Sequence, residues 1–314
     1  MGLLIVKGVN KLREERFVLK NINLVQESFQ KIAIAGETGS GKSTLLKIIA
    51  GLEQSDSGEV LFENAKVQGP EEKLVAGHPS IAYLPQYFEL PKFLRVEQVL
   101  AYANHLTTSE EEKLFKVCQI NHLLKRKTNE LSGGERQRIA LCRLLIGKPK
   151  LLLLDEPFSN LDMVLKSILK SVIQAVGEKL KITCILVSHD PDDTLPWADQ
   201  ILIMKDGKIV QQGTPEKIYQ EPNNAYVAGL FGKFNQLIPS LRKTLKIKSD
   251  RKYFRPEDFK INRHKKKNSL ACKVLGSKFN GSYYQVELSM VKNNFITVSD
   301  RAWILGETVY LAYK

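Results

Sequence analysis

The sequence predicts an α/β core with a largely parallel sheet, followed by a small β-barrel-like domain. Three observations carry that expectation. Strand-like and helix-like runs alternate through roughly the first 232 residues. One of the strand-like runs, LLLL at 151–154, is apolar throughout, as in a strand covered on both faces. Beyond 232 the helical runs give way to short strand-like segments separated by turn signals.

In chain order, LLIVKGVN, FVLKNINLVQ and KIAIAG read as strands separated by polar turns. STLLKIIAGL follows, and Leu45, Leu46, Ile48 and Ile49 fit one face of a helix laid against a sheet, ended by Gly51 and EQSDSGE. EVLFENAKV reads as a strand pair and IAYLPQ (81–86) as a further strand. Residues 93–130 change character, because FLRVEQVLAYANHL and SEEEKLFKVCQINHLL show helical spacing with charged outer faces. A mostly helical insert is expected there. RQRIALCRLLIG is again helical, PKLLLLDEP a buried strand, MVLKSILKSVIQAVGEKL a helix and KITCILVSHD a strand. ADQILIMKDGKIVQQG reads as strand–turn–strand with Asp206–Gly207 at the turn. The last part (FRPEDFKI, LACKVLG, SYYQVELSM, FITVSD, ETVYLAYK) reads as short strands, with turns expected at Asn280–Gly281 and Asn293–Asn294. Tyr284, Val286, Leu288 and Met290 alternate with polar residues, as on a half-buried strand.

Composition narrows the class. Forty-three percent hydrophobic and 26% charged residues are ordinary for a soluble globular protein. No apolar run approaches the roughly 20 residues needed to span a bilayer, and the first residues lack the pattern of a secretory leader, so a cytoplasmic protein is expected. Cys118, Cys142, Cys184 and Cys272 are widely spaced without a CxxC pair and read as reduced core thiols. The net charge of +13 is concentrated: residues 241–267 hold twelve Lys or Arg against Asp250, Glu257 and Asp258. Such a patch suits anionic lipid or nucleic acid, or is a solvated face of a β-domain.

GETGSGKST at 36–44 carries the first chemistry. Gly36-x4-Gly41-Lys42-Ser43 matches the phosphate-loop pattern, with a strand before it and a helix after it. Backbone N–H groups from Gly36, Glu37, Thr38, Gly39, Ser40, Gly41 and Thr44 are expected to wrap phosphate oxygens at the positive end of the helix dipole. Lys42 neutralises β/γ-phosphate charge in this reading, and the Ser43 hydroxyl ligates Mg²⁺. LLLLDEP delivers Asp155 to the C-terminal end of a buried strand for a water-mediated Mg²⁺ contact. Glu156 beside it suits polarising a water for in-line attack on the γ-phosphate. LSGGERQR offers a second helix start able to meet an anion, with Ser132 as N-cap.

GETGSGKST, YLPQ, LSGGERQRIALCRLL, LLLLDEP, SNLD and SHD occur in this order and spacing, and together they make the chain resemble the ATP-binding-cassette ATPases over residues 1 to about 232. The resemblance implies a P-loop NTPase core with an antiparallel β-subdomain and a helical insert at about 87–130, Mg-ATP hydrolysis, and a head-to-tail dimer with ATP sandwiched at the interface. It implies that Gln86 contacts Mg²⁺ and couples the site to the insert. Ser132, Gly133 and Gly134 would reach the γ-phosphate of the second subunit's ATP, Asp162 would touch the opposite site, and His189 would hold γ-phosphate and the attacking water. Where related sequences carry an aromatic against adenine, this chain has Arg13; either Arg13 or Phe17 takes that contact.

DGKIVQQGTPEKIYQEP and FRPEDF are similar to the ATPase subunits of importers of the polyamine, sulfate, ferric-ion and sugar type. Those subunits carry a C-terminal domain of the oligonucleotide/oligosaccharide (OB) fold, expected here over 233–314. The implied partners are a second ATPase subunit and integral membrane permeases, with no direct contact to the transported solute and none expected to nucleic acid. The implied place is the cytoplasmic face of the membrane. YFELPKFLRV is the candidate docking edge. A cassette ATPase acting on nucleic acid or the ribosome is the alternative, and a ligand-sensing role of the C-terminal domain is compatible with either.

Overall fold

The computed structural model describes residues 2–87, 89–102, 104, 106–290 and 293–314. The chain divides into two compact units, one ending at Pro215 and one spanning Glu216–Lys314.

The first unit is built on a six-stranded sheet. Its strands lie in the order Lys208–Gly213, Gln200–Lys205, Lys31–Ala35, Thr183–Val187, Leu151–Asp155 and Ile81–Leu84. All neighbours are parallel except the hairpin formed by the first two. That hairpin closes on Asp206 and Gly207, both at positive φ (47° and 74°), the geometry whose twist matches two-residue β-turns. Side chains of a strand alternate between faces, so the four consecutive leucines serve two cores. Leu151 and Leu153 pack with Leu45, Leu46 and Ile49 of the helix Lys42–Ile49. Leu152 and Leu154 face the other way, onto the helices Gly133–Ile146 and Met163–Leu180. Each buried leucine is worth roughly 1.5–3 kcal/mol, so this strand pins both layers around the residue that follows it, Asp155.

The expected antiparallel β-subdomain is a second sheet, ordered Arg16–Gln26, Leu4–Arg13, Ser57–Phe62 and Ala65–Lys66. Its inward residues Leu4, Val6, Ile22, Val60 and Phe62 join the core around the helix Lys42–Ile49. In the insert, the helix Thr108–Cys118 starts on a capping box of Thr107 and Glu110 and stops where Gln119 turns left-handed (φ 54°). Of the first expected helix, over 93–106, the described helix is Val96–Ala101, and residues 103 and 105 lie outside the described residues. Arg95, just before it, is held in a β-bridge to Lys127, which prevents an earlier start.

The second unit begins with the helices Pro215–Gln220 (its first residue at the boundary), Ala225–Leu230 and Pro239–Thr244. Residues 216–232, which the sequence reading placed with the ATPase part, thus pack with the C-terminal part. The unit's sheet has five antiparallel strands in the order Phe259–Asn262, Thr308–Tyr313, Ser269–Phe279, Tyr284–Met290 and Asn293–Ser299. It curls until Phe259 and Phe295, on opposite edge strands, stack edge-to-face with ring centroids 4.7 Å apart. Among the described residues those edges are not paired, and the sheet is a curled half-barrel. Val286 and Leu288 are buried as the alternation predicts. Asn293–Asn294 is not the turn expected there: Asn293 pairs with Met290 and Asn294 with Ser289 inside the hairpin. The connecting residues 291 and 292, and the side chain of Met290, lie outside the described residues.

The basic stretch 241–267 is not one uniform surface. Arg255 is buried, its guanidinium donating to the carbonyls of Tyr219, Ala228 and Gly232 at 2.9–3.3 Å, and Arg251 faces Asp258 at 3.4 Å. Lys243, Lys246, Lys248, Lys252, Lys260, Arg263 and Lys265 to Lys267 are exposed.

Candidate functional site

The strand Lys31–Ala35 runs into the 36–41 loop, which leads directly into the helix Lys42–Ile49. Two of the glycines are required by space as well as by backbone angle. At Gly36 a Cβ would lie 2.2 Å from the Met204 carbonyl oxygen, and at Gly41 (φ 96°) it would lie 2.5 Å from that of Val18. The loop therefore sits tight against two strands, and its amides and the helix start surround one hollow. Lys42 extends along the inside of the loop, donating to the carbonyls of Gly36 (2.8 Å) and Glu37 (2.7 Å). Burial lowers its pKa, against the pull of Glu156, Asp155 and Glu37.

Asp155 is buried at the end of its strand. Its Oδ1 accepts from the Ser43 hydroxyl at 3.0 Å and its Oδ2 from the Tyr83 hydroxyl at 3.0 Å. Burial pushes the Tyr83 phenol pKa up, with Asp155 adding to the effect, so the phenol stays a donor. Glu156 adopts a left-handed backbone (φ 48°), uncommon for a residue with a side chain. Its Oε2 lies 2.8 Å from His189 Nδ1, and with the carboxylate ionised the ring donates. His189 is exposed while Glu156 is largely covered, so the pair joins the interior to the hollow.

The hollow encloses about 660 Å³. Its lining brings together Arg13, Thr38, Gly39, Gly41, Lys42, Ser43, Thr44, Gln86, Glu156 and His189. Gly36 and Ser40 support the loop from behind, Ser40 being buried within reach of Lys42 Nζ at 3.4 Å. Phe17 is not in this lining; it opens onto a neighbouring cleft with Lys20 and Gln211. Arg13 is engaged by Glu53 at 2.7 Å. Ser132, Gly133, Gly134 and Asp162 also lie outside the hollow. Ser132 and Asp162 cap their helices, Ser132 Oγ accepting from Glu135 N and Asp162 Oδ1 from the amides of Val164 and Leu165. Gly134 permits close helix contact, since a Cβ there would meet Leu165 at 3.1 Å.

Several residues at the site had no sequence signal of their own. Tyr83 would have required the pairing of its strand to be known. Lys166, which lines the hollow, bonds Asp190 and pairs with the buried Asp193 at 2.8 Å; Ser188 Oγ donates to the same Asp193 at 2.8 Å. A second groove of about 830 Å³ adjoins the first, with Gln86, Tyr87, Leu90, Asn129, Gly133 and Arg136 among its walls. Tyr87 and Phe93 stand exposed in this part of the candidate docking edge, while Phe88 lies outside the described residues.

Comparison with known proteins gives a consistent picture. Residues 19–159 match the family model described as ABC transporter. The chain is similar to the spermidine/putrescine import ATP-binding protein PotA of Clostridium acetobutylicum, at 32% identity over 98% of this chain and 93% of that protein. It is similar over the same share of its length to the glucose import ATP-binding protein GlcV of Saccharolobus solfataricus, at 33% identity and covering 96% of that protein. Among solved structures, a dimeric ATP-binding cassette in a post-hydrolysis state with ADP and Pi matches with TM-score 0.57 and 28% identity, covering 68% of this chain and 98% of that one.

Proposed function

The chain belongs to the ABC transporter family as an ATP-hydrolysing, importer-type ATP-binding subunit, and from that premise we propose that it works as a head-to-tail pair beneath membrane permeases. The observation that carries the catalytic reading is the Glu156–His189 pair, 2.8 Å apart, at the edge of the hollow that also holds Lys42. ATP places its phosphates in the 36–44 loop, where backbone N–H groups and Lys42 offset their charge. Glu156 takes a proton from the attacking water. The water oxygen bonds to the γ-phosphorus as the bond to the β–γ bridging oxygen breaks, releasing ADP and phosphate. With Nδ1–H given to Glu156, donation from His189 Nε2 to a γ-phosphate oxygen requires the ring's second proton, as in the imidazolium form.

The residues present fit Mg²⁺. The Ser43 hydroxyl and Asp155 carboxylate are hard oxygen donors already bonded to each other, with Gln86 on the same hollow. Among the described residues no cluster of three or more His, Cys, Asp or Glu suits a metal. That agrees with an ion which keeps several waters and shares substrate phosphates. When bound, the ion would neutralise charge developing between the β- and γ-phosphates.

Ser132, Gly133, Gly134 and Asp162 lie away from their own chain's hollow, which suits contact with a second copy's ATP. The dimeric state of the matched cassette supports this arrangement. The groove beside Gln86, lined by exposed Tyr87, together with exposed Phe93 on the same 87–96 run, is the surface proposed for the permeases' coupling elements. Closure on ATP and reopening after hydrolysis then shift the permeases between states. No helix among the described residues is long and apolar enough to cross a membrane. Attachment at the cytoplasmic face would therefore come through those partners. By function we assign the ATPase part to 1–232 and the accessory domain to 233–314, although residues 216–232 pack with the second compact unit. Selection of the solute falls to other chains, in keeping with relatives that serve as different as polyamine and glucose import.

Glu156→Gln tests the core of this reading. Turnover should fall by about 10²–10⁴-fold while ATP remains bound and holds two copies together. Turnover within a few fold of wild type would remove Glu156 as the base, and monomers at saturating ATP would remove the shared site. Co-purification with a polytopic membrane protein tests the transport role; its absence from detergent extracts would favour a soluble one.

A further inference from the structure

We propose that Tyr83 is a positioning residue for the cation that accompanies ATP: its hydroxyl holds one oxygen of the Asp155 carboxylate so that the other is presented at Ser43. The inference rests on the Mg²⁺ reading above. It starts from sheet register. The strands Ile81–Leu84 and Leu151–Asp155 pair in parallel, with Tyr83 opposite Leu153. Leu153 and Asp155 are two residues apart and so share a face, the one that packs on the helix Lys42–Ile49. Tyr83 also packs on that core, and its ring reaches past Leu153 to place the hydroxyl 3.0 Å from Asp155 Oδ2.

The consequence is geometric. An Asp carboxylate rotates about its last torsion over a broad well, and a single partner on one oxygen leaves the plane loosely set. Here two donors arrive from different elements, Ser43 on Oδ1 and Tyr83 on Oδ2, at 3.0 Å each. When the cation comes to the Ser43 side, Tyr83 remains as the bond that keeps Oδ1 directed there. The same strand leads within three positions to Gln86 on the hollow, so the hydroxyl also ties that segment to the acidic strand. Partners that orient ligating carboxylates typically change metal affinity by about 10–100-fold when removed.

Tyr83→Phe removes the hydroxyl and keeps the ring in the core. A fluorescent ATP analogue is titrated into wild type and variant, first with EDTA and then at stepwise Mg²⁺. In the variant the Mg²⁺ concentration giving half of the metal-dependent gain should rise by about 10-fold. The EDTA affinity should stay unchanged, since Lys42 and the loop are untouched. Superimposable Mg²⁺ curves would overturn the proposal. So would equal losses with and without Mg²⁺, accompanied by a lowered melting temperature, because that is the signature of a packing role. A wild-type protein whose nucleotide affinity ignores Mg²⁺ would instead refute the cation reading itself.

Discussion

Gly41→Ala measures how tightly the phosphate loop is held. At φ 96° the new methyl carries a left-handed backbone penalty of about 1–2 kcal/mol. It also lands 2.5 Å from the Val18 carbonyl oxygen and 2.8 Å from Leu19 Cδ2, against ordinary contacts near 3.4 Å or more. Val18 and Leu19 are part of the strand Arg16–Gln26, and Leu19 is fully buried, so neither yields freely. Overpacking of this kind costs about 1–3 kcal/mol, which brings the total to roughly 2–5 kcal/mol. Gly39→Ala is the matched control: it too has positive φ (83°), but nothing lies within 4 Å of its Cβ. Only the backbone penalty applies there, about 1–2 kcal/mol. Urea unfolding followed with nucleotide titration compares the two. Gly41→Ala should lose the larger stability and at least about 10-fold in ATP affinity, the loss matching a loop shift of some tenths of an ångström. Equal stability of the two variants would refute the claim that the Val18–Leu19 contact sets the loop's position.

Acid should act on the first unit through Asp190. Burial opposes ionisation there, but the Lys166 ammonium and the Asp192 amide outweigh it and hold the carboxyl below its ordinary value. A depressed folded-state pKa contributes stability above the unfolded value and loses it as pH falls through the folded value. Melting temperature measured from neutral pH down to about 3 should therefore decline over the carboxylate range, and Lys166→Met should flatten that decline. A variant with an unchanged acid limb would show that the clamp contributes nothing. In the second unit, Arg255→Lys should cost about 3 kcal/mol, because a point-like ammonium cannot serve carbonyls of Tyr219, Ala228 and Gly232 together. Chemical unfolding of the whole chain checks this, and a loss below about 0.5 kcal/mol would contradict it.

The motifs were legible because each depends on neighbours in sequence. A strand, a glycine turn and a helix start make the 36–44 site from contiguous residues, and LLLLDEP places Asp155 at a strand end by the same local logic. Element types followed from periodicity, which is why Met163–Leu180 and the leucine strand were recovered closely. The misplaced turn at Asn293–Asn294 has a clear cause. Asparagine favours turns through its own backbone, but cross-strand pairing with Ser289 and Met290 overrode that preference. The barrel-like character of the C-terminal sheet was legible in its short strands, whereas how far its two distant edge strands approach depends on register across the whole sheet.

By itself, then, the sequence determined the chemistry on offer: a phosphate loop, two adjacent carboxylates and the class of ATPase that combines them. Tertiary structure alone decided what those groups do to one another. It set His189 2.8 Å from Glu156 across 33 residues of chain, put Tyr83 on Asp155, and drew Lys166 to Asp190 and Asp193. It also placed Ser132 and Asp162 outside the hollow that holds Lys42 and Glu156. The physical reason is that such contacts are fixed by sheet order and by helices packing on opposite faces. Those are properties of the whole buried core, not of any stretch of residues that can be read in order.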